Sequence, residues 1–222
     1  TLAAPLHLRA PVFPAPGLRV LLQLAPGSTQ PLLTPLGREG LSSLTHPVAG
    51  LPDWLQAELP GPTGALVTAI SGPVTLQQAI LTAGDLPAPG PDGAISVPPA
   101  LLFHLGHCSP GHDAVSLDPE TVPFGQVLYG PHLPFPPGIY DVVLDYSTSA
   151  DAAPGIFRVL ALPGREVLAE AGIDPAARSL RLPALSLDAA PVRFEFHYTA
   201  TGPVVLHNIR LVPSTLQLRP PS

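Results

Sequence analysis

Five side chains within ten residues, His104, His107, Cys108, His112 and Asp113, are of the kinds that bind zinc: imidazole nitrogen, thiolate sulfur and carboxylate oxygen. Their spacing matches no zinc pattern. A strand over Leu101 to Leu105 would put His104 on one face of a sheet and leave His107 and Cys108 in the turn beyond it, so a strand with a polar turn is expected here. Asp113, Asp118 and Glu120 offer hard oxygens that could hold calcium with nearby carbonyls, and they stand as weak calcium candidates. The Asp118-Pro119 pair also reads as the start of a turn. For sugars the useful chemistry is an aromatic ring, which meets their CH faces, beside polar groups, which meet their hydroxyls. Trp54, Tyr129 and His132 fall in expected loops and His197 on the outward face of a strand, which makes these four the ligand-binding candidates.

Catalysis finds less support. Asp141 and Asp145 share one strand face, yet nothing marks an opposing carboxylate of the sort glycosidases need. There is no nucleophile elbow, no Gly-rich phosphate loop and no paired His and Glu motif. A non-catalytic protein is the expectation, needing no cofactor unless calcium is bound.

The elements that would position these groups are short. With 33 Pro and 20 Gly in 222 residues, helices are interrupted at close intervals and strands joined by turns remain. All ten basic residues are Arg, and sixteen carboxylates bring the formal charge to −6. That balance supplies no basic stripe for nucleic acid. Cys108 is alone, which excludes an intrachain disulfide and a site of several thiolates. The sequence opens at Thr1 without Met, which favours export after loss of a leader. The apolar run Leu18 to Ala25 is broken by Arg19 and Gln23 and is too short to span a membrane.

Alternation is clearest at Val192 to Tyr198, where Val192, Phe194, Phe196 and Tyr198 share one face while Arg193, Glu195 and His197 turn to solvent or a ligand. Tyr140, Val142, Leu144 and Tyr146 repeat the pattern, as do Leu18, Val20, Leu22 and Leu24. Further strands are expected over 65–70, 74–81, 114–117, 125–129, 156–162, 179–182 and 204–212. Glu166 to Ile173 could instead form a short helix or turn, and Asp53 could cap a turn through Leu59. The stretch from Gly72 to Leu81 matches that from Gly202 to Leu211 at five of ten positions, which suggests two related modules, each ending in one hairpin. The Pro-rich segment from Leu86 to Gly93 reads as their connector, although the same composition also suits a wide loop inside a single sandwich. The expected fold is therefore all-β, with two tandem antiparallel β-sandwich, jelly-roll-like modules over residues 1–90 and 91–222.

The run Tyr129-Gly130-Pro131-His132-Leu133-Pro134-Phe135-Pro136-Pro137-Gly138-Ile139-Tyr140-Asp141-Val142 resembles a stretch of the β-sandwich modules attached to bacterial glycosyltransferases and other cell-envelope glycan proteins. The ending Leu206-His207-Asn208-Ile209-Arg210-Leu211 is similar to the final strand of galactose-binding-like jelly rolls and carbohydrate-binding modules. Where those families often have Asp before the Asn, this chain has His207, which removes a hard ligand for a structural calcium. The resemblance spans about residues 100 to 213 and implies a glycan-binding type of fold. Two functions follow as expectations. One is a non-catalytic accessory or binding protein of the cell envelope or extracellular space, with a glycan as partner. The other is a structural subunit of a surface assembly or larger complex, docking neighbouring subunits through sheet edges and Pro-rich termini.

Overall fold

The computed structural model describes residues 6–9, 17–35, 43–48, 50–60, 64–69, 73–82, 89–109 and 113–214. The chain is all-β, with every strand pairing among these residues antiparallel, and it divides into two units, Thr1–Leu86 and Pro87–Ser222. Neither Pro-rich terminus, 1–5 or 215–222, lies within the described residues, and His112 lies outside them as well.

The first unit runs β1 (Leu6–Arg9), β2 (Gly17–Leu24), β3 (Pro31–Pro35), β4 (Ser43–Leu44), β5 (His46–Val48), β6 (Leu51–Pro60), β7 (Gly64–Ala69) and β8 (Leu76–Thr82). These make two four-stranded sheets, β1-β7-β3-β4 and β5-β6-β2-β8. Val20, Leu21 and Leu22 of the interior strand β2 are all fully buried. The turn expected after Asp53 is instead the long strand β6. Its buried residues Leu51, Trp54 and Ala57 recur every third position, a helix-like spacing. Hydrogen-bonding to β2 on one side and β5 on the other overrides it.

The second unit contains β9 (Ile95–Val97), a single 3₁₀ turn at Pro99–Leu101, β10 (Phe103–His104), β11 (His107–Cys108), β12 (Val115–Leu117), β13 (Gly125–Pro134), β14 (Gly138–Thr148), β15 (Gly155–Ala161), β16 (Glu166–Gly172), β17 (Ser179–Leu187), β18 (Pro191–Tyr198) and β19 (Val204–Pro213). One sheet has the order β10-β13-β18-β15-β16, and the other β11-β12-β19-β14-β17 with β9 also on β19. From β13 to β19 the chain crosses between the two sheets at every step except β15 to β16, and the inward side chains of both build one core. Val192, Phe194, Phe196 and Tyr198 from β18 meet Tyr140, Val142, Leu144 and Tyr146 from β14 there. Phe194 lies between Phe135 and Phe157, with ring centroids at 6.0 and 6.1 Å.

Three expectations are corrected here. Glu166 to Gly172 forms the edge strand β16, because pairing with β15 (Arg158 opposite Glu170) outweighs the helix preference of its Ala, Glu and Leu. The segment 101–105 gives only the two-residue strand β10, since the preceding Pro98 and Pro99 start a 3₁₀ turn that uses up Leu101. The matched Gly-Pro segments are not hairpins. β7 and β8 lie in different sheets, as do β18 and β19, so each pair of strands spans a crossing from one sheet to the other.

Asp141, expected on an outward face, is buried at a bulge. β17 places two residues, Pro183 and Ala184, opposite it, and its carboxylate accepts the Ala184 N–H at 2.8 Å and the Arg181 Nε–H at 3.1 Å. The Ala184 amide, then Arg181, hold its carboxyl below the ordinary carboxylate value. Asp141→Ala is expected to cost about 1.5–3 kcal/mol, the worth of hydrogen bonds to a charged group, as read by urea unfolding. The contribution is present above the ordinary carboxylate pKa and is lost as pH falls through the lowered one, so wild type and variant converge in acid.

Candidate functional site

The site lies on the outer face of the five-stranded sheet of the second unit. Strand alternation sends Arg193, Glu195 and His197 of β18 to that face, and antiparallel register sets their neighbours. Glu195 is opposite Tyr129 on β13 and Arg158 on β15, and Tyr129 is in turn opposite Phe103 on the edge strand β10. One row thus reads Phe103, Tyr129, Glu195, Arg158, with Glu170 of β16 beyond. Gln126 faces His197 in the adjoining row. His132 belongs to neither row. It is the extra residue of a bulge between Pro131 and Leu133, with φ at 60°, a left-handed conformation costly for a side chain with a Cβ. The bulge re-aims its ring toward Tyr129, with centroids 6.2 Å apart.

Although it points outward, Glu195 is only 3% exposed. Its Oε1 is 2.7 Å from Arg193 Nη2 and 3.5 Å from Arg165 Nη2, while its Oε2 accepts a hydrogen bond from His197 Nε2 at 3.0 Å. Burial pushes the carboxyl up, but the His197 hydrogen bond and the charges of Arg193, His197 and Arg165 outweigh it, and the group lies below its ordinary value. The Arg193 guanidinium is held over the Tyr129 ring at 4.6 Å, and the Phe103 ring stacks on Tyr129 at 4.5 Å. Burial, then the Arg193 charge, lowers the His132 pKa, which leaves a neutral imidazole.

What distinguishes this cluster is hydrogen-bonding capacity left open. Gln126 Nε2, His132 Nε2 and Arg193 Nε are buried without a hydrogen-bond partner among the described residues. Each such atom costs about 1–3 kcal/mol, a concentration that a mere scaffold has no reason to keep. Exposed apolar side chains flank it: Phe103, Leu101 and Leu105 at the β10 edge, Phe124 before β13, and Ile156 and Val167 on β15 and β16.

Three of the four ligand-binding candidates, Tyr129, His132 and His197, are therefore brought together, and Trp54 is not. Trp54 is 1% exposed in the core of the first unit. Glu195, Arg193 and Gln126 were readable only as outward or unassigned positions. Phe103 and Arg165 carried no sequence signal, because one sits on a two-residue strand and the other in a Pro-Gly turn. The weak calcium candidates do not converge. Asp113 is exposed and accepts the Ser109 hydroxyl at 2.7 Å, Asp118 caps its own turn by accepting the Glu120 N–H at 2.9 Å, and Glu120 is exposed. Among the described residues no three His, Cys, Asp or Glu side chains are grouped to hold a metal ion. Of the zinc-like residues, His104 and Cys108 meet across two sheets, Nε2 to Sγ at 3.2 Å, while the Gly106 carbonyl accepts from His104 Nδ1 at 3.0 Å.

No protein-family model matches the chain, and no curated protein matches it. Among solved structures it is similar to the Bacillus thuringiensis insecticidal crystal protein Cry7Ca1, with 9% identity and a TM-score of 0.35 over 92% of this chain and 54% of that one. It is also similar to a Paenibacillus xanthan lyase, with 14% identity, TM-score 0.37, 94% of this chain and 22% of that one. A third is the Arthrobacter globiformis T6 isomalto-dextranase in complex with panose, with 16% identity, TM-score 0.31, 89% of this chain and 35% of that one. The chain thus spans about half the first of these and less of the others. Likeness at this level says nothing of ligand or activity. Among the described residues no helix is long and apolar enough to cross a membrane.

Proposed function

We propose that this protein is a non-catalytic glycan-binding accessory module of the cell envelope or extracellular space, binding through the outer face of the five-stranded sheet. One observation carries the reading. The Phe103–Tyr129 pair supplies an apolar surface directly beside His132 and Arg193, whose buried polar atoms have unused hydrogen-bonding capacity. Sugars ask for that combination, with CH faces on rings and hydroxyls on polar groups. The sequence resemblance to glycan-associated sandwiches points the same way.

Affinity electrophoresis of the intact protein through gels containing envelope polysaccharides tests this. Retardation by at least one polysaccharide is expected, weakened about tenfold in Phe103→Ala, roughly the 1.4 kcal/mol that one ring contact supplies. Because Phe103 is half exposed, the fold should survive the change. No retardation by any polysaccharide would overturn the reading.

A second reading, a structural subunit docking a neighbour, is supported by Leu101, Phe103, Leu105 and Phe124, which expose apolar surface along the β10 edge. Light scattering at micromolar concentration should then show self-association that Phe124→Asp abolishes. A monomer in both cases speaks against assembly with itself.

A further inference from the structure

The charges around Glu195 do not balance. Arg193 and Arg165 both address Oε1, so two guanidinium groups share one carboxylate. The other ion pair on this face, Arg158 with Glu170 at 2.7 Å, is complete in itself. Glu166, the neighbour of Arg165 in sequence, pairs with Ala161, whose row alternates with that of Arg158 and Leu160 and so belongs to the other side of the sheet. A positive surplus therefore stands on one face of a chain whose formal charge is −6.

The two arginines are held differently. The Arg193 side chain is 14% exposed, seated on Tyr129 and 2.7 Å from the carboxylate. Arg165 is 62% exposed, reaches Glu195 only at 3.5 Å, and springs from the turn between β15 and β16 with φ at 56°. An incoming anion can take the Arg165 fork while Glu195 keeps Arg193 and His197. A carboxylate suits that fork better than a tetrahedral anion, because a planar guanidinium meets it with two parallel hydrogen bonds. Phe103 and Glu195 lie two strand spacings apart, about 10 Å, which leaves room for a sugar ring on the aromatic pair with its acid group toward Arg165.

Resting on the glycan reading above, we propose that the ligand is an acidic polysaccharide, with a uronic-acid ring packed on Phe103 and Tyr129 and its carboxylate paired with Arg165. Net charge alone would repel such a polymer, so the local pair must supply the attraction, and binding should weaken as salt rises.

The test is affinity electrophoresis of the intact protein against polygalacturonate, alginate and hyaluronan, with methyl-esterified polygalacturonate, dextran and dextran sulfate as comparisons. At least one uronate polymer should bind at least tenfold more tightly than dextran, and esterification should remove that advantage for polygalacturonate where it is the polymer bound. Arg165→Gln should lose about tenfold on the uronate polymer, the worth of one charged fork, and Arg165→Lys should recover only part of it. Unchanged binding by Arg165→Gln, or dextran bound as tightly as the uronates, would overturn the acid assignment and leave glycan binding standing. Dextran sulfate bound more tightly than every uronate would overturn the carboxylate assignment. No binding to any polymer would overturn this proposal together with the reading beneath it. Unchanged thermal unfolding of Arg165→Gln shows that the loss is one of contact.

Discussion

Truncating Glu195 to alanine should destabilise the second unit by about 3–5 kcal/mol, the range for removing one member of a buried ion pair. The carboxylate is the only anion in contact with the Arg193 and Arg165 guanidinium groups among the described residues, and it accepts from His197. Without it, Arg193 stays pressed against Tyr129 with its charge uncompensated and out of water. Trp54 belongs to the first unit, so hydrogen exchange at β18 amides, rather than tryptophan fluorescence, is the measurement that isolates the effect. Replacing both partners, Arg193→Met with Glu195→Leu, should recover most of the loss, because the desolvation of two charges disappears with them. The double variant should bind glycan more weakly than wild type, since it lacks the Arg193 group beside Tyr129, which would separate the stability of this cluster from its use. A cost below about 1 kcal/mol for Glu195→Ala would mean that the cluster is a surface network after all. The pH dependence has a definite sign. The folded carboxyl lies below its ordinary value, so its stabilisation is present above about pH 4.3 and is lost as pH falls through the folded value. The gap between wild type and Glu195→Ala should therefore close in acid.

Phe194→Ala should be comparably severe, about 3–5 kcal/mol, as for other aromatic truncations in packed cores. The ring is fully buried between Phe135 and Phe157, and its contacts join β15 and β18 to the segment that follows β13. Phe194→Leu should cost distinctly less, since it leaves a smaller void. Phe194 sits between Arg193 and Glu195 in sequence and points the opposite way, so loosening it should also relax the register that brings Glu195 opposite Tyr129. Reduced glycan retardation of Phe194→Ala, with the outer face itself untouched, is the expected companion result. Urea unfolding that moves by under about 1 kcal/mol would contradict the packing described for this core.

Much of the architecture was legible because a strand repeats every two residues. Val192 to Tyr198 and Tyr140 to Tyr146 announced their buried faces through that period alone, and each inward residue is indeed in the core. The same period showed Arg193, Glu195 and His197 as a set on the opposite face. Reading failed where neighbours in space decide. The helix-like spacing of Leu51, Trp54 and Ala57 and the Ala, Glu and Leu content of 166–172 both yielded to strand pairing, which no local pattern reports. Trp54 was expected in a loop, yet it is part of a core.

The amino-acid sequence by itself determined that this chain builds short antiparallel strands and which side of β18 is apolar. Tertiary structure alone decided that Phe103, Gln126, Tyr129 and His132 share one sheet face with Glu195, and that Arg165 reaches it. Those residues come from four separate segments, and their meeting depends on register between strands, on one bulge and on one turn. Register is a property of paired strands and of the core that locks them, so it has no trace in the spacing of residues along a single one.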